Sequence, residues 1–223
     1  MGPIVPLVVL VVAGIALAHA ARAFGRGLAR RRHGRRIMLD GVAGDLADPR
    51  RLIAADGWPR ISGRWRGAVF DLQLHPDALE VRKLPSLWLE VALIRQAARP
   101  RLTISRRRIG PARDLPLPVE TPGAFPEDAR ISTDDPAARL PDPQPLNAAF
   151  AGLGDRLREV ELTPSGIRLT WLLAEADRGR YLLGRDAEFP VDPVPADLAA
   201  RLFDAALALD RALTAPPGER IAA

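Results

Sequence analysis

The sequence predicts an α+β fold: an N-terminal transmembrane helix followed by an antiparallel sheet of about five to seven strands packed with two helices. Three observations predict it. An apolar run without a charge fills residues 4–21. Two segments, 57–74 and 157–174, alternate apolar and polar side chains on either side of a short turn, which is the pattern of a β-hairpin. Two later segments repeat leucine at helical spacing.

Composition agrees with a folded chain. Of 223 residues, 48% are apolar and 26% are charged, enough for one domain with an appendage. Cysteine is absent, so there is no disulfide, no thiolate metal ligand and no cysteine nucleophile. That suits a reducing cytoplasm and is compatible with export, since a sufficient core needs no staple. Lys83 is the single lysine, which reflects the arginine bias of a GC-rich genome more than a function. The net charge of +5 is concentrated in one place. Residues 1–36 hold seven arginines and no acid; the remaining 25 basic side chains face 27 acidic ones, leaving residues 37–223 at about −2.

The first element is a transmembrane anchor over residues 1–25. As a helix, Ile4 to Ala21 is roughly 27 Å long at about 1.5 Å per residue, close to a bilayer core of about 30 Å. Pro3 and Pro6 fall in its first turn, where a missing amide donor costs little. No polar stripe marks it as a helix of a water-soluble core. Residues 26–56 form an arginine-rich juxtamembrane connector. Arg22, Arg26, Arg30, Arg31, Arg32, Arg35 and Arg36 all lie C-terminal to the apolar run. Positive residues beside a span stay in the cytoplasm, so the N-terminus is expected outside and the domain inside a plasma or inner membrane. The same seven side chains are the candidates for membrane-surface contact, at about 1 kcal/mol each near anionic headgroups. Simple orientation of the helix is the plainer role.

Two rival readings use the same residues. Ala18-His19-Ala20 has the small-x-small form of a signal-peptide cleavage site ending at Ala20, but no basic residue precedes the apolar run and the arginines after it oppose export. A basic run can also mark a nucleic-acid surface. Here only Phe24 interleaves aromatically and the rest of the chain adds no positive surplus, so no nucleic acid is expected.

Within the connector, Gly41, Gly44 and Pro49 break a helical pattern, and Asp40, Asp45 and Asp48 do not have the spacing of a calcium loop. The α+β domain spans 57–215. Ile61, Gly63 and Trp65 alternate, Arg66-Gly67 turns, and Phe70, Leu72 and Leu74 alternate again. A short third strand follows at 78–84. Residues 86–97 are apolar on both faces except for Glu90, as in a central strand. Another strand covers 100–110, with Leu102 and Ile104 inward and Arg106, Arg107 and Arg108 at its exposed end. Five prolines in 111–128 make 110–128 a loop through which no element runs. Residues 129–135 supply one more strand. Leu146, Phe150, Leu153 and Leu157 mark a helix, and 157–174 a hairpin turning at Thr163–Gly166. The last helix covers 196–214, with Asp197 at its positive end, before a tail at 216–223.

This layout, "GRWRGAVFDLQL", a Trp-containing strand, "ISTDDPAARL", a helix, a "VELTPSGIRLTW" hairpin and a final helix, resembles uncharacterised bacterial single-pass membrane proteins carrying an α+β domain of unknown function. The resemblance covers 60–215. It implies a membrane-tethered module and brings no activity and no catalytic residues.

Chemistry-bearing patterns are sparse. His75 is the one histidine in the domain and reads as a solvent-facing turn residue before Pro76, without partners for a zinc site. No G-x-S-x-G elbow and no Walker loop occur, and "GLGDRL" (152–157) lacks the third glycine of a dinucleotide loop. Thr133, Asp134 and Asp135 precede Pro136 and suit a turn or cap better than a divalent ion. Glu159 and Glu161 alternate on a strand with Arg168 across the hairpin, which suits ion pairing. Trp88 and Trp171 read as core; Trp58 and Trp65 lie near the start of the domain, in the core or facing the membrane interface or a partner.

No catalytic, metal or cofactor-binding residue and no cofactor is therefore expected. The sequence points to a membrane-anchored protein-interaction or scaffolding module, with the bilayer contacted through residues 4–24 and an unknown protein partner. The alternatives are a lipid or small-ligand module with an apolar pocket between sheet and helices, and a carboxylate-dependent enzyme around Asp134 and Asp135.

Overall fold

A computed structural model describes residues 4–77, 84–97, 99–106, 117–119, 125, 128–135, 140–184, 187, 189 and 192–214. The chain runs α1 (Ile4–Arg36), α2 (Asp40–Ala43), β1 (Ala47–Ile53), β2 (Pro59–Trp65), β3 (Ala68–Asp77), β4 (Ser86–Ile94), β5 (Leu102–Arg106), β6 (Leu117–Val119), β7 (Ala129–Thr133), α3 (Pro143–Leu153), β8 (Leu157–Thr163), β9 (Gly166–Glu175), α4 (Arg178–Gly184) and α5 (Ala196–Thr214). Among the described residues the strands make one nine-stranded sheet in the order β1-β2-β3-β4-β9-β8-β5-β7-β6, with antiparallel neighbours throughout. The late β8–β9 hairpin is inserted between β4 and β5 and joins two earlier sets of strands.

Local chemistry sets both expected hairpins. Trp65 pairs with Ala68 around Arg66 and Gly67, whose φ values of 48° and 83° give the two left-handed residues of a type I′ turn. At the second turn Thr163 pairs with Gly166, and the Thr163 hydroxyl accepts from Ser165 N at 3.2 Å. Gly166 has φ 154°, and a Cβ there would run into the carbonyl oxygen of Leu93 on β4.

Period-two alternation then sorts side chains between two faces. On one, Phe70, Leu93, Ile167, Leu162 and Leu102 form a row across five strands. A second row is Leu72, Val91, Leu169, Val160, Ile104 and Ile131. All of these are buried. α5 lays Leu198, Leu202, Phe203, Ala206 and Leu209 into the same core, and α3 adds Leu146 and Phe150. Phe203 stands 4.6 Å from Phe70 and 5.5 Å from Trp65 between ring centroids. The Trp65 indole donates to Asp204 at 3.0 Å, fixing the helix along its axis. α3 starts on Asp142, which accepts from Gln144 N at 3.0 Å, and stops at Gly154, whose φ of 71° is left-handed. Leu157, expected on that helix, therefore opens β8.

Several expectations are corrected. No helix among the described residues is long and apolar enough to cross a membrane. The transmembrane anchor at 1–25, and the single-pass topology argued from it, do not stand. Although α1 runs unbroken from Ile4, the side chains of residues 4–11 lie outside the described ones. The sheet has nine strands where five to seven were expected. One extra strand, β1, lies in the supposed helical connector; it is exposed at every position and pairs with β2 through its backbone. Another, β6, runs through the proline-rich 110–128 segment and pairs with β7 despite Pro118, as a proline can on an edge strand. The strand at 78–84 falls on residues 78–83, which lie outside the described ones, as do Arg107, Arg108 and the tail at 216–223. Arg106 is not a solvated strand end: it is half-buried and paired with Asp128 at 3.0 Å.

Phe203→Ala removes the ring that joins α5 to Phe70 and Trp65. It is expected to lower unfolding stability by about 3–5 kcal/mol in a denaturant titration. A loss below about 1 kcal/mol would mean that α5 is held elsewhere.

Candidate functional site

The second face of the sheet is polar. One row runs Gln73, Glu90, Thr170, Glu159 and Ser105 across β3, β4, β9, β8 and β5. Beside it lie Asp71, Ala92, Arg168, Glu161, Thr103 and Ser132. Glu159, Glu161, Thr103, Thr170 and Ser132 are nonetheless buried. Buried carboxylates need partners. Glu161 receives Arg101 Nε and Arg168 Nη1, each at 2.9 Å, from the two sides of its strand. Towards the other edge, Arg60 Nε reaches both oxygens of Asp71 at 2.8 and 3.0 Å, and that bond holds the guanidinium pKa above its ordinary value. Trp88 is fully buried on this face, apart from the main core, and among the described residues neither its indole N–H nor the Thr170 hydroxyl has a hydrogen-bond partner.

At the N-terminal end the chain presents a different surface. On α1, Val12, Ile15, Leu17 and Phe24 are between 56% and 76% exposed. Arg22, Arg26, Arg30, Arg31, Arg32 and Arg36 are exposed on the same helix, and Arg35 is half-buried. The Arg35 guanidinium lies 5.1 Å from the centre of the Trp58 ring, which meets Phe189 edge-on at 6.0 Å. A cleft of about 870 Å³ opens between α1 and the turn at 55–57, with Phe24, Arg31, Arg32, Arg35 and Arg36 on one wall and Asp56 on the other. Below it, Met38, Leu39, Val42, Ala43 and Leu46 are buried, and Met38 O accepts from Val194 N at 2.8 Å. Leu46 packs over Gly63 of β2, where a Cβ would come within 2.9 Å of the leucine's own Cβ. The foot of α1 is thereby seated on the domain.

The other residues singled out from sequence find structural places. Thr133 Oγ1 donates to Arg101 O at 2.8 Å and Asp134 accepts from Arg101 N at 3.0 Å, so the Thr133–Asp135 stretch ties β7 to the start of β5. Among the described residues no group of three or more histidine and acidic side chains is placed to hold a metal. His75 is no turn residue: it lies within β3, half-buried, opposite Trp88. Asp40 pairs with Arg51 at 2.8 Å. Trp58 is buried, Trp65 is half-buried against α5, and Trp171 belongs to the core.

Sequence reasoning missed one cluster. Asp210 of α5 is buried and lies 2.7 Å from Arg95 and 3.8 Å from Arg99, both on the connection after β4. The available signal was an acid inside an apolar helical stripe, seven residues after Phe203 and four after Ala206.

No family model matches the chain, and no curated protein matches it. Among solved structures, the crystal structure of the mycobacterial trehalose monomycolate transport factor A, TtfA, is similar with a TM-score of 0.33 at 8% identity, over 71% of this chain and 74% of that one. Similarity at that level transfers neither a fold nor a function.

Glu161→Ala leaves Arg101 and Arg168 facing each other across β8. Because both guanidiniums reach solvent, the expected loss of stability is about 1–3 kcal/mol, smaller than for a fully enclosed pair. Arg168→Ala, which leaves Arg101 on the carboxylate, is expected to cost less in the same denaturant titration. Equal losses would place the buried charge under Arg168 alone.

Proposed function

We propose that this protein is a binding module that works against an anionic lipid surface, with α1 as its contact. The observation that carries the reading is the pairing, on one helix, of large exposed apolar side chains with a run of arginines. Val12, Ile15, Leu17 and Phe24 offer apolar area that water does not favour. The seven arginines are accompanied by no acid anywhere in residues 1–36. A surface that is greasy inside and negative at its headgroups complements both properties at once. Contact of this kind needs no helix that crosses the bilayer. The near-neutral domain adds little long-range attraction of its own, so the affinity resides in α1. The cation–π contact of Arg35 with Trp58 supports a second aspect: the helix is joined to the domain through a packed foot, so docking α1 also sets how the sheet is presented to a protein partner.

The test is sedimentation of the full chain with vesicles of phosphatidylcholine alone and of phosphatidylcholine with phosphatidylglycerol. Binding is expected with the anionic vesicles and is expected to weaken as salt rises. At about 1 kcal/mol per arginine near the surface, replacing Arg30, Arg31 and Arg32 together by Gln lowers partitioning on the order of 100-fold. Phe24→Ser is expected to weaken binding without changing its salt dependence. Equal partitioning onto neutral and anionic vesicles, or indifference to the triple substitution, would overturn the reading.

A further inference from the structure

The cluster around Asp210 sits beside a cavity of about 420 Å³ where the connection after β4, the ends of β5 and β8, and the last turn of α5 converge. Three features of it require explanation together. The first is charge. Two guanidiniums, Arg95 and Arg99, converge on a single carboxylate, so among the described residues the cluster carries one positive charge in excess. Asp210 is 1% exposed and Arg99 13% exposed at the side chain, so for that pair water offers little screening.

The second feature is unused hydrogen-bonding capacity. Asp210 Oδ2 takes Arg95 Nη1 at 2.7 Å. Its Oδ1 lies 3.8 Å from Arg99 Nη2, beyond hydrogen-bond range, and among the described residues neither atom has a hydrogen-bond partner. Arg99 is not loose: its Nε donates to Thr163 O at 2.8 Å, which fixes the guanidinium plane at the rim of the cavity. Burial pushes the Arg99 pKa below its ordinary value; Asp210 works against that shift and Arg95 adds to it. A buried guanidinium with an idle N–H is a costly arrangement.

The third feature is the opposite wall. Leu102 and Leu162 face each other in register at the end of the apolar sheet face, and Leu213 of α5 completes an apolar floor. A cation cluster on one side and a leucine floor on the other make an amphipathic cavity, of a size that small-molecule sites occupy.

We propose that this cavity is a binding site for a small amphiphilic anion, a carboxylate head on a short alkyl body. The head takes the open N–H groups of Arg95 and Arg99, and the body lies on Leu102, Leu162 and Leu213. A planar carboxylate matches the guanidinium fork and supplies the one negative charge that the cluster lacks. A bare phosphate satisfies the arginines but leaves the leucine floor wet. A neutral alcohol covers the floor but leaves the charge uncompensated. Asp210 then has a defined role. It holds the two arginines in place and competes with the ligand for them.

Titration calorimetry of the full chain with octanoate, octanol and inorganic phosphate tests the proposal. Saturable binding of octanoate is expected, with octanol and phosphate roughly tenfold weaker or worse, given what a hydrogen bond to a charged group contributes. Arg99→Met is expected to abolish octanoate binding, and Leu213→Trp to block it by filling the floor. Asp210→Asn removes the competing charge while keeping the side chain's shape, and is expected to tighten octanoate several-fold. A purely structural cluster would not produce that gain, and it stays measurable if Arg99→Met fails to fold. No saturable binding of octanoate, equal binding of octanol, or unchanged or weakened octanoate binding in Asp210→Asn would each overturn the proposal.

Discussion

The burial of α5 against one face of the sheet is the interaction on which the rest of the molecule depends. It requires an apolar row at every level of that face, and the strands deliver it in phase across six of them, from Leu72 through Val91, Leu169, Val160 and Ile104 to Ile131. Phase is the demanding part, because a slip of one residue in any strand would turn its polar set towards the helix. The two tight turns hold the phase. Arg66-Gly67 locks β2 to β3, and the close approach of Gly166 to Leu93 locks the β8–β9 hairpin to β4. The irregularity between Leu157 and Glu159 is a local adjustment that keeps Leu157 on the helix side and both glutamates off it.

Forcing apolar groups to one face sends charge to the other face and to the ends of the helix, and the protein meets that charge in two ways. On the open face Glu161 is matched by Arg101 and Arg168 at the same distance, and its burial is compensated on both sides. At the end of α5 Asp210 is matched tightly by Arg95 and only distantly by Arg99. The first arrangement is closed: each carboxylate oxygen of Glu161 has a guanidinium nitrogen at 2.9 Å, and its effect is to fix strand register. The second is open, because it leaves one guanidinium N–H idle beside a cavity. The contrast between them, and not burial as such, separates a structural charge cluster from a binding one.

How much of this was legible follows from what each element asks of its side chains. The two hairpins were readable because alternation and turn chemistry point the same way in both. α5 was readable because its apolar stripe is unbroken apart from Asp210. β1 was not: none of its seven residues is buried, so no alternation marks it, and it forms through backbone pairing with β2 alone. β6 was not, since three residues around Pro118 carry no period. Strand order was out of reach, because the insertion of β8–β9 between β4 and β5 is settled by packing far along the chain. The apolar run at the start was read correctly as helix, and the helix continues through the arginines for 33 residues in all. The Asp210 cluster left a trace, an acid on the buried side of α5, and only the structure supplies its two arginines.

The two proposed binding surfaces lie far apart in the sheet, and this decides how they relate. α1 is seated beside β2, through Trp58 at its start and Leu46 over Gly63. The cavity lies over β8 and β5, on the far side of β3, β4 and β9. At about 4.8 Å between neighbouring strands the separation is on the order of 20 Å, beyond direct electrostatic contact at physiological salt. An arginine of α1 therefore adds nothing to the charge that Asp210 fails to balance. Besides the sheet itself, α5 links the two regions: it touches Trp65 through Phe203 and Asp204 near its middle and carries Asp210 about two turns later. A rigid helix held at both points moves as a unit, so a ligand that draws Arg99 and Arg95 away from Asp210 acts on the same element that packs against β2. The aromatic contact of Phe203 with Trp65, and not the charge of α1, is where such coupling would be carried.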